Sequence, residues 1–424
     1  MKLKPNIEFH DYQIEGANFA LSNFYTINAD EMGLGKSLQA LKAIVMSGKK
    51  ALIICPTYLV WNWLAECEKF IDAEVVSFNP KKLFPNSCEI IVASYTQLKF
   101  LGDIFNMVDF VVADEFHYCK SMDAERTKLM YSHLSNSKPK YFLGLTGTPI
   151  KNRIPELHSL LLMLALSDKV TNKITAKYKS YYLFCYHFTN PRQINIGSRI
   201  VLKFEGQKNI EELKGFLVGR MIRRKAEDVL DLPEIITKEV EVKYVENEGL
   251  KKVWEEYTKK GVIAESTIKA GNAKAKAKFT GEYVLGLIES GISRLVVFSE
   301  HVASSEEIYE CIRERSDAFI ITGKTNTDDR RDSITRFEAS DEGKPRVLVA
   351  TIGSCSTGVN LVAANHLVFN DCSWVPGDNN QALKRIHRIG QLKTCFIHYI
   401  TGGTVDKIIT RTLINKMKTI ERVL

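Results

Sequence analysis

The sequence predicts an α/β protein built from two tandem, doubly wound parallel sheets with helical insertions between them. Three observations carry this. Short, uniformly apolar runs recur along the chain, helical patterns alternate with them, and the alternation occurs twice. The first set of runs is Ala51–Cys55, Glu89–Ala93, Phe110–Ala113 and Tyr141–Leu145; the second is Arg294–Phe298, Ala318–Ile321, Arg346–Ala350, His366–Asn370 and Cys395–Ile400. Each ends in a polar or glycine-containing loop, as central parallel strands buried on both faces do. Such sheets place their reactive loops at strand carboxyl ends. At 424 residues and 45% hydrophobic content the chain can bury two ordinary cores. The expected division is a first lobe over 1–166, a helical insertion and connection over 167–240, a Lys-rich helical insertion over 241–290, and a second lobe over 291–424.

The first element of chemical interest is Asp30-Glu31-Met32-Gly33-Leu34-Gly35-Lys36-Ser37. It follows a strand expected to end near Ala29 and opens a helical pattern marked by Leu38, Leu41, Ile44 and Val45. Glycines in a strand-to-helix turn let successive backbone N–H groups point at phosphate oxygens. Lys36 adds a cation for the phosphates, and the Ser37 hydroxyl is a ligand for Mg²⁺. The match to GxxxxGK[ST] is imperfect, because Asp30 stands where the first glycine belongs.

Next comes Val111-Val112-Ala113-Asp114-Glu115-Phe116-His117, an apolar strand that delivers two adjacent carboxylates to its carboxyl end. Asp114 suits Mg²⁺ held through its water shell, and Glu115 suits orienting and deprotonating a water. Leu145-Thr146-Gly147-Thr148-Pro149 ends another strand, from which Thr146 and Thr148 would hydrogen-bond the carboxylate loop. Between the two strand sets, aromatic residues (Tyr178, Tyr181, Tyr182, Phe184, Tyr186, Phe188) suggest a small packed core in preference to a base-stacking surface. Near the far end, Gln381-Ala-Leu-Lys-Arg385-Ile-His-Arg388-Ile-Gly390-Gln391 reads as a helix with Gln381, Arg385 and Arg388 on one face. A planar guanidinium suits a phosphate whose charge is spread over several oxygens, and an arginine finger is the function expected of such a residue.

Charge and cysteine content narrow the classes further. The net charge of +8 is modest, but it clusters: Lys251 to Lys278 holds eight lysines against three acids. That stretch reads equally well as a solvated helical face or a polyanion-binding surface. None of the nine cysteines forms a C-x-x-C pair, so buried free thiols are expected rather than a zinc site or disulfide framework. Met1–Gln13 has no apolar targeting core, and the longest apolar run, Leu160–Leu166, is too short to span a bilayer.

On these motifs the chain resembles Swi/Snf-type double-stranded DNA translocases of helicase superfamily two. Asp30–Gln39 (DEMGLGKSLQ) resembles the family's first motif, Asp-Glu-Met prefix included. Phe9-His10-Asp11-Tyr12-Gln13 resembles its adenine-recognition segment, with His10 where the family commonly has Arg. Cys55-Pro56-Thr57 with Asn62, Trp63 and Glu66, and Ser94-Tyr95, resemble strand-tracking motifs; the carboxylate motif carries Phe116 in place of Ala. Arg223-Arg224-Lys225, Asp228-Val229 and Leu232-Pro233 resemble the segment bridging the lobes. Val297-Phe298-Ser299, Thr322-Gly323-Lys324 with Arg330, Gly358 to Leu361, Asp371, Trp374 and Pro376 lead into QALKRIHRIGQ.

The resemblance implies two RecA-like lobes with ATP and Mg²⁺ between them. Lys36, Asp114, Glu115, Arg385 and Arg388 are the implied catalytic residues, and Ser37 and Asp114 the implied metal ligands, Asp114 through water. Gln13, the loop Met32-Gly33-Leu34-Gly35-Lys36-Ser37 and Gln381 would bind nucleotide. DNA contacts are implied for Ser94, Tyr95, Thr148, Asn152, Gly323 and Thr351, with Lys274, Lys276 and Lys278 as further candidates. The expected partner is double-stranded or branched DNA, with replication or recombination proteins in addition and no membrane. The leading expectation is a compact motor for branched DNA in replication, recombination or repair, in the cytoplasm of a bacterium or phage-infected cell and not secreted. The alternatives are a motor that displaces polymerase or nucleosomes from duplex, and a nucleotide-switched DNA-binding module without turnover.

Overall fold

A computed structural model describes residues 1–82, 87–167, 177–196, 199–242, 265–339, 343–355 and 359–424. The chain divides into two compact units. The first comprises Met1–Pro191, Phe204–Leu230 and Thr419–Leu424; the second comprises Arg192–Lys203 and Asp231–Lys418.

The first unit is built on a seven-stranded sheet: β1 (Tyr25–Asn28), β2 (Ala51–Cys55), β3 (Val75–Ser77), β4 (Ile90–Ser94), β5 (Phe110–Asp114), β6 (Tyr141–Leu145) and β7 (Met221–Ile222). Their order is β7-β1-β6-β5-β2-β4-β3, and every pairing is parallel. Strict alternation explains why these runs are apolar throughout. Leu52, Ile54, Ile91, Ala93, Val111 and Ala113 enter one hydrophobic core, while Ala51, Ile53, Ile90, Val92, Phe110 and Val112 enter another. A strand so covered exposes no polar face, and each buried Val or Ile contributes on the order of 1.5–3 kcal/mol. Helices α1 (Asp11–Asn23), α2 (Lys36–Ser47) and α3 (Val60–Phe70) belong to this unit. Val423 is buried in one of its cores, with Ile420 and Leu424 packed against it.

The second unit carries a six-stranded parallel sheet: β8 (Ile235–Glu241), β9 (Arg294–Ser299), β10 (Asp317–Ile321), β11 (Arg346–Thr351), β12 (His366–Phe369) and β13 (Cys395–Thr401), ordered β8-β13-β12-β9-β11-β10. Val296, Phe298, Leu348 and Ala350 face one core, and Leu295, Val297, Val347 and Val349 the other. Helices α4 (Glu265–Glu289) and α5 (Pro376–Leu383) pertain to this unit, as does α6 (Gly403–Val423) as far as Lys418.

One expectation is corrected and one is met in part. The span 167–240 is not purely helical: it contains helices Tyr181–Phe188 and Ile210–Leu217, but also strands Asn190–Ile196 and Arg199–Glu205 and one strand of each main sheet, β7 and β8. The aromatic cluster there divides by burial. Tyr178, Phe184 and Phe188 form a packed core, whereas Tyr181, Tyr182 and Tyr186 remain exposed. Within the Lys-rich stretch, 251–264 lie outside the described residues and the remainder forms α4.

Candidate active site

The phosphate loop joins β1 to α2 in the first unit. Gly33 (φ 91°) and Gly35 (φ 67°) are both left-handed, a region that residues with a Cβ enter only at a cost of roughly 1–2 kcal/mol. At Gly35 a Cβ would also lie 2.6 Å from Gln13 Nε2, so any other residue there would displace the Gln13 side chain. Helix α2 begins at Lys36, placing its free N–H groups and the positive end of its dipole at the loop. The Lys36 ammonium donates to the carbonyls of Asp30 (2.7 Å) and Glu31 (3.0 Å). Burial pulls its pKa down, while Glu115, Asp30 and Asp114 oppose that shift. The candidate cation and both candidate carboxylates therefore share one electrostatic locale.

Asp30 resolves the apparent defect in the motif. It is 0% exposed. Its Oδ1 accepts from the backbone N and Nε of Arg224, both at 3.0 Å, and its Oδ2 accepts from Arg224 Nη2 at 2.6 Å and Gln39 Nε2 at 3.0 Å. The missing glycine has been replaced by a carboxylate that anchors the loop from outside. Strand β7 brings Arg224 there by pairing with β1, and the backbone of Glu31 continues the pairing by donating to the Arg224 carbonyl. Glu31 Oε2 accepts from the Ala226 N–H. The sequence marks Arg224 only as part of a bridging segment.

Asp114 ends β5 with its Oδ1 accepting from the Glu115 N–H (2.8 Å) and its Oδ2 from Trp63 Nε1 (2.8 Å). Burial, then the neighbouring Glu115, pushes its pKa up to about 7. Cation coordination would favour the ionised form. Glu115 adopts a left-handed backbone (φ 50°, ψ 50°), and its carboxylate lies 3.2 Å from His117 Nδ1. A strained residue at a strand end fits a positioned catalytic group. His117 Nδ1 also lies 3.2 Å from Thr146 Oγ1, so Thr146 joins the carboxylate loop as expected; Thr148 does not, its N–H donating to Thr146 Oγ1 at 3.1 Å within its own loop. At Gly147 a Cβ would meet Met32 Cγ at 2.7 Å, which packs this loop directly on the phosphate loop. The hard oxygen donors Ser37 and Asp114, with Lys36 and a glycine cradle, fit a Mg²⁺–triphosphate.

Adenine recognition is expected at Gln13. Its side chain is buried, accepts from the His10 N–H at 3.1 Å, and reaches the Leu34 carbonyl at 3.5 Å. The candidate base reader thus lies against the phosphate loop itself.

The candidate DNA residues differ in placement. Ser94 caps the 3₁₀ helix Tyr95–Phe100, and the buried Tyr95 hydroxyl donates to the Asp114 carbonyl at 2.9 Å. Thr148 and Thr351 are buried, and Thr351 Oγ1 donates to Ser354 Oγ at 2.6 Å. The Asn152 N–H donates to Glu156 Oε2 at 2.8 Å, and Gly323 is exposed with open space around it. Lys274 and Lys278 are exposed on α4. The expectation for Lys276 is corrected: it is 0% exposed, and its ammonium donates to Asp406 Oδ2 (2.7 Å) and the Ile400 carbonyl (2.9 Å). Alternating lysines on a helix point in different directions, and this one points into the core.

In the second unit the expected arginine helix is also corrected. Helix α5 ends at Leu383, so Gln381 is helical while Arg385 and Arg388 follow in turns. Carbonyls needed to prolong the helix are captured elsewhere: Arg385 O accepts from the Leu361 N–H, and Ile386 O accepts from Gln391 Nε2. Arg385 is buried, its Nη1 donating to the Val359 carbonyl at 3.3 Å; Arg388 is partly exposed. Sequence reading also misses Lys269, buried with its ammonium paired to Glu300 and 5.6 Å from the Trp374 ring centroid. Burial pulls its pKa down to about 8.

Two parallel-sheet units, a phosphate cradle and a strand-end carboxylate pair define a helicase-type ATPase core. Residues 12–290 match the SNF2-related domain and residues 278–390 the helicase conserved C-terminal domain. The chain belongs to the SNF2-related family. It is 29% identical to a mouse DNA annealing helicase and endonuclease, ZRANB3, over 96% of this chain and 40% of that protein. It is 29% identical to a Caenorhabditis elegans homologue of SWI/SNF-related matrix-associated actin-dependent regulator of chromatin subfamily A-like protein 1, over 97% of this chain and 61% of the relative. It is 26% identical to an uncharacterized ATP-dependent helicase of Mycoplasma pneumoniae, over 99% and 42%. The chain thus spans less than two thirds of the length of these relatives. A Sulfolobus solfataricus SWI2/SNF2 ATPase core in complex with dsDNA aligns over 100% of this chain and 95% of that one, at 22% identity and a TM-score of 0.47. Among the described residues no helix is long and apolar enough to cross a membrane.

Proposed function

We propose that this chain is an ATP-dependent double-stranded DNA translocase that remodels branched DNA, by branch migration, fork reversal or strand annealing, in replication, recombination or repair. The observation that carries the motor is the joint placement of Lys36, Asp114 and Glu115 around one loop of a SNF2-related chain. The branched substrate is supported by the mouse relative, described as a DNA annealing helicase and matched over 96% of this chain. Lys36 and the α2 N-terminus would hold phosphates; Ser37, and Asp114 through water, would hold Mg²⁺, which when bound would neutralise charge on the phosphates. Glu115, fixed by its backbone and by His117, orients the attacking water and takes its proton. Arg385 and Arg388 are proposed as guanidinium donors for turnover on the strength of the helicase C-terminal match over residues 278–390. DNA is held mainly through phosphates, so binding is weakly sequence-specific and salt-dependent. Free, mostly buried cysteines suit a reducing compartment, the cytoplasm of a bacterial or phage-infected cell.

ATP turnover measured with linear duplex, a synthetic fork and a four-way junction tests this reading. Lys36→Ala and Glu115→Gln abolish turnover while leaving DNA binding largely intact; near wild-type hydrolysis by either would remove the site assignment. Rearranged fork or junction product supports the branched substrate. Equal stimulation by linear duplex with no rearranged product favours a motor that displaces proteins from duplex, a reading supported by the chromatin-regulator description of the nematode relative.

A further inference from the structure

We propose that Arg224 is a positioning residue for nucleotide selection: it holds the adenine-reading segment against the phosphate loop, and so sets the preference for ATP over GTP. The proposal rests on the reading of Gln13 and Lys36 as nucleotide-binding residues.

The geometry is a single guanidinium serving three elements of the first unit. Towards the phosphate loop, Arg224 Nε and Nη2 make a two-pronged pair with the buried Asp30 carboxylate. Towards α2, Nη2 donates to Gln39 Oε1 at 3.2 Å. Towards the base-reading segment, Nη1 donates to the Tyr12 carbonyl and reaches Glu15 Oε2 at 3.3 Å, and the guanidinium stacks 5.3 Å from the Tyr12 ring centroid. Tyr12 immediately precedes Gln13.

The two ends of this clamp meet again on one atom. Gln39 Nε2, held by Asp30, donates to the Leu34 carbonyl at 3.1 Å, and Gln13 Nε2 reaches the same carbonyl at 3.5 Å. The Asp30 carbonyl in turn accepts from Lys36. A displacement of Arg224 is therefore felt at Gln13 through the Tyr12 backbone, whereas Lys36 bonds the Asp30 main-chain carbonyl and not the carboxylate that Arg224 holds. The space is filled: a Cβ at Gly16 would lie 1.8 Å from Gln39 Oε1 and 2.9 Å from Arg224 Nη2. Only a planar, forked cation serves these acceptors at once, and Lys, a point charge on a flexible stem, does not.

Arg224 touches neither phosphate nor base in this scheme; it acts through Asp30 and Tyr12. Loosening it should cost base discrimination more than chemistry. Removing Arg224 alone also strands the buried Asp30 charge, which endangers folding. The test therefore uses Arg224→Lys, which keeps a cation, and the double variant Arg224→Met with Asp30→Asn, which leaves no buried charge. Steady-state ATPase and GTPase on saturating duplex DNA are measured for wild type and both. The expected result is a KM for ATP raised by about tenfold or more, equivalent to about 1.4 kcal/mol of lost binding. KM for GTP changes little, so the ATP preference collapses, and kcat for ATP stays within about threefold, a shift of less than 1 kcal/mol in the barrier. Arg224→Lys falls between wild type and the double variant. Equal rises in KM for both nucleotides, or a fall in kcat at unchanged KM, overturns the proposal. If wild type itself hydrolyses ATP and GTP alike, the base-reading role of Gln13 fails with it. If wild type hydrolyses neither, the functional reading above fails instead.

Discussion

Single residues in the first unit serve two neighbours at once. Asp30 offers its side chain to Arg224 and its carbonyl to Lys36. Trp63 is buried in a hydrophobic core while its indole N–H holds Asp114. The second case yields a clean prediction. Trp63→Phe keeps most of the buried area but frees Asp114 Oδ2, so the carboxylate loses its fixed orientation. The Mg²⁺ concentration for half-maximal ATPase should rise by about tenfold, the usual loss when an outer-shell partner of a metal ligand is removed. A Mg²⁺ titration overlaying that of wild type would show that Trp63 serves packing alone. The glycines, Lys36 and the carboxylate pair are legible in sequence because their chemistry is local. The role of Asp30 is not, since its partner lies 194 positions away and proximity of that kind leaves no mark in spacing.

Among elements, the central strands are readable because burial on both faces leaves only apolar residues, and the sequence places Ala51–Cys55 and Tyr141–Leu145 to the residue. Strands β3 and β7 escape because three and two residues are too few for a pattern. Strand β8, Ile-Ile-Thr-Lys-Glu-Val-Glu, escapes because it lies at the sheet edge and is largely exposed, so it reads as linker. The arginine segment misleads in the opposite sense: its periodicity is helical, but tertiary hydrogen bonds claim its carbonyls. Strands β12 and β13 carry a stacked pair of histidines, with His366 Nδ1 3.2 Å from His398 Nε2 and Tyr283 hydroxyl 3.0 Å from His398 Nδ1. Burial, then His366 and Lys238, hold His398 down to about 4. Its folded-state pKa lies below the unfolded value, so the unfolded chain takes up the proton first as pH falls. The stabilisation is full above about 6.5 and is lost towards pH 4. His398→Asn should reduce the stability lost between pH 7 and pH 4.5 by about 2 kcal/mol. Urea unfolding at the two pH values measures this, and parallel losses in the two proteins would contradict it.

For the whole molecule, the charge of +8 is less informative than where the lysines point. Lys274 and Lys278 are exposed on α4, whereas Lys276 between them closes a buried network with Asp406 and Asn272. Substituting Lys274 and Lys278 by Gln should weaken DNA affinity and lower the slope of log affinity against log salt by about 0.9 for each phosphate no longer neutralised. Lys276→Gln should instead destabilise the second unit by roughly 3–5 kcal/mol, because it leaves the Asp406 carboxylate buried and unpaired. Fluorescence anisotropy across a salt series, paired with thermal unfolding, separates the two effects. An unchanged slope for the double variant would return that face of α4 to solvent.

The first unit is discontinuous, since Thr419–Leu424 returns to it and Val423 enters its core. During synthesis, the ribosome therefore delivers the second unit before Val423 can take its place in the first unit's core. At roughly 5–20 residues per second, the 188 positions from Asp231 to Lys418 delay that last contribution by on the order of ten seconds or more. A nascent chain stalled in that interval would present an unfinished core, which makes this junction a natural place for chaperones to be needed.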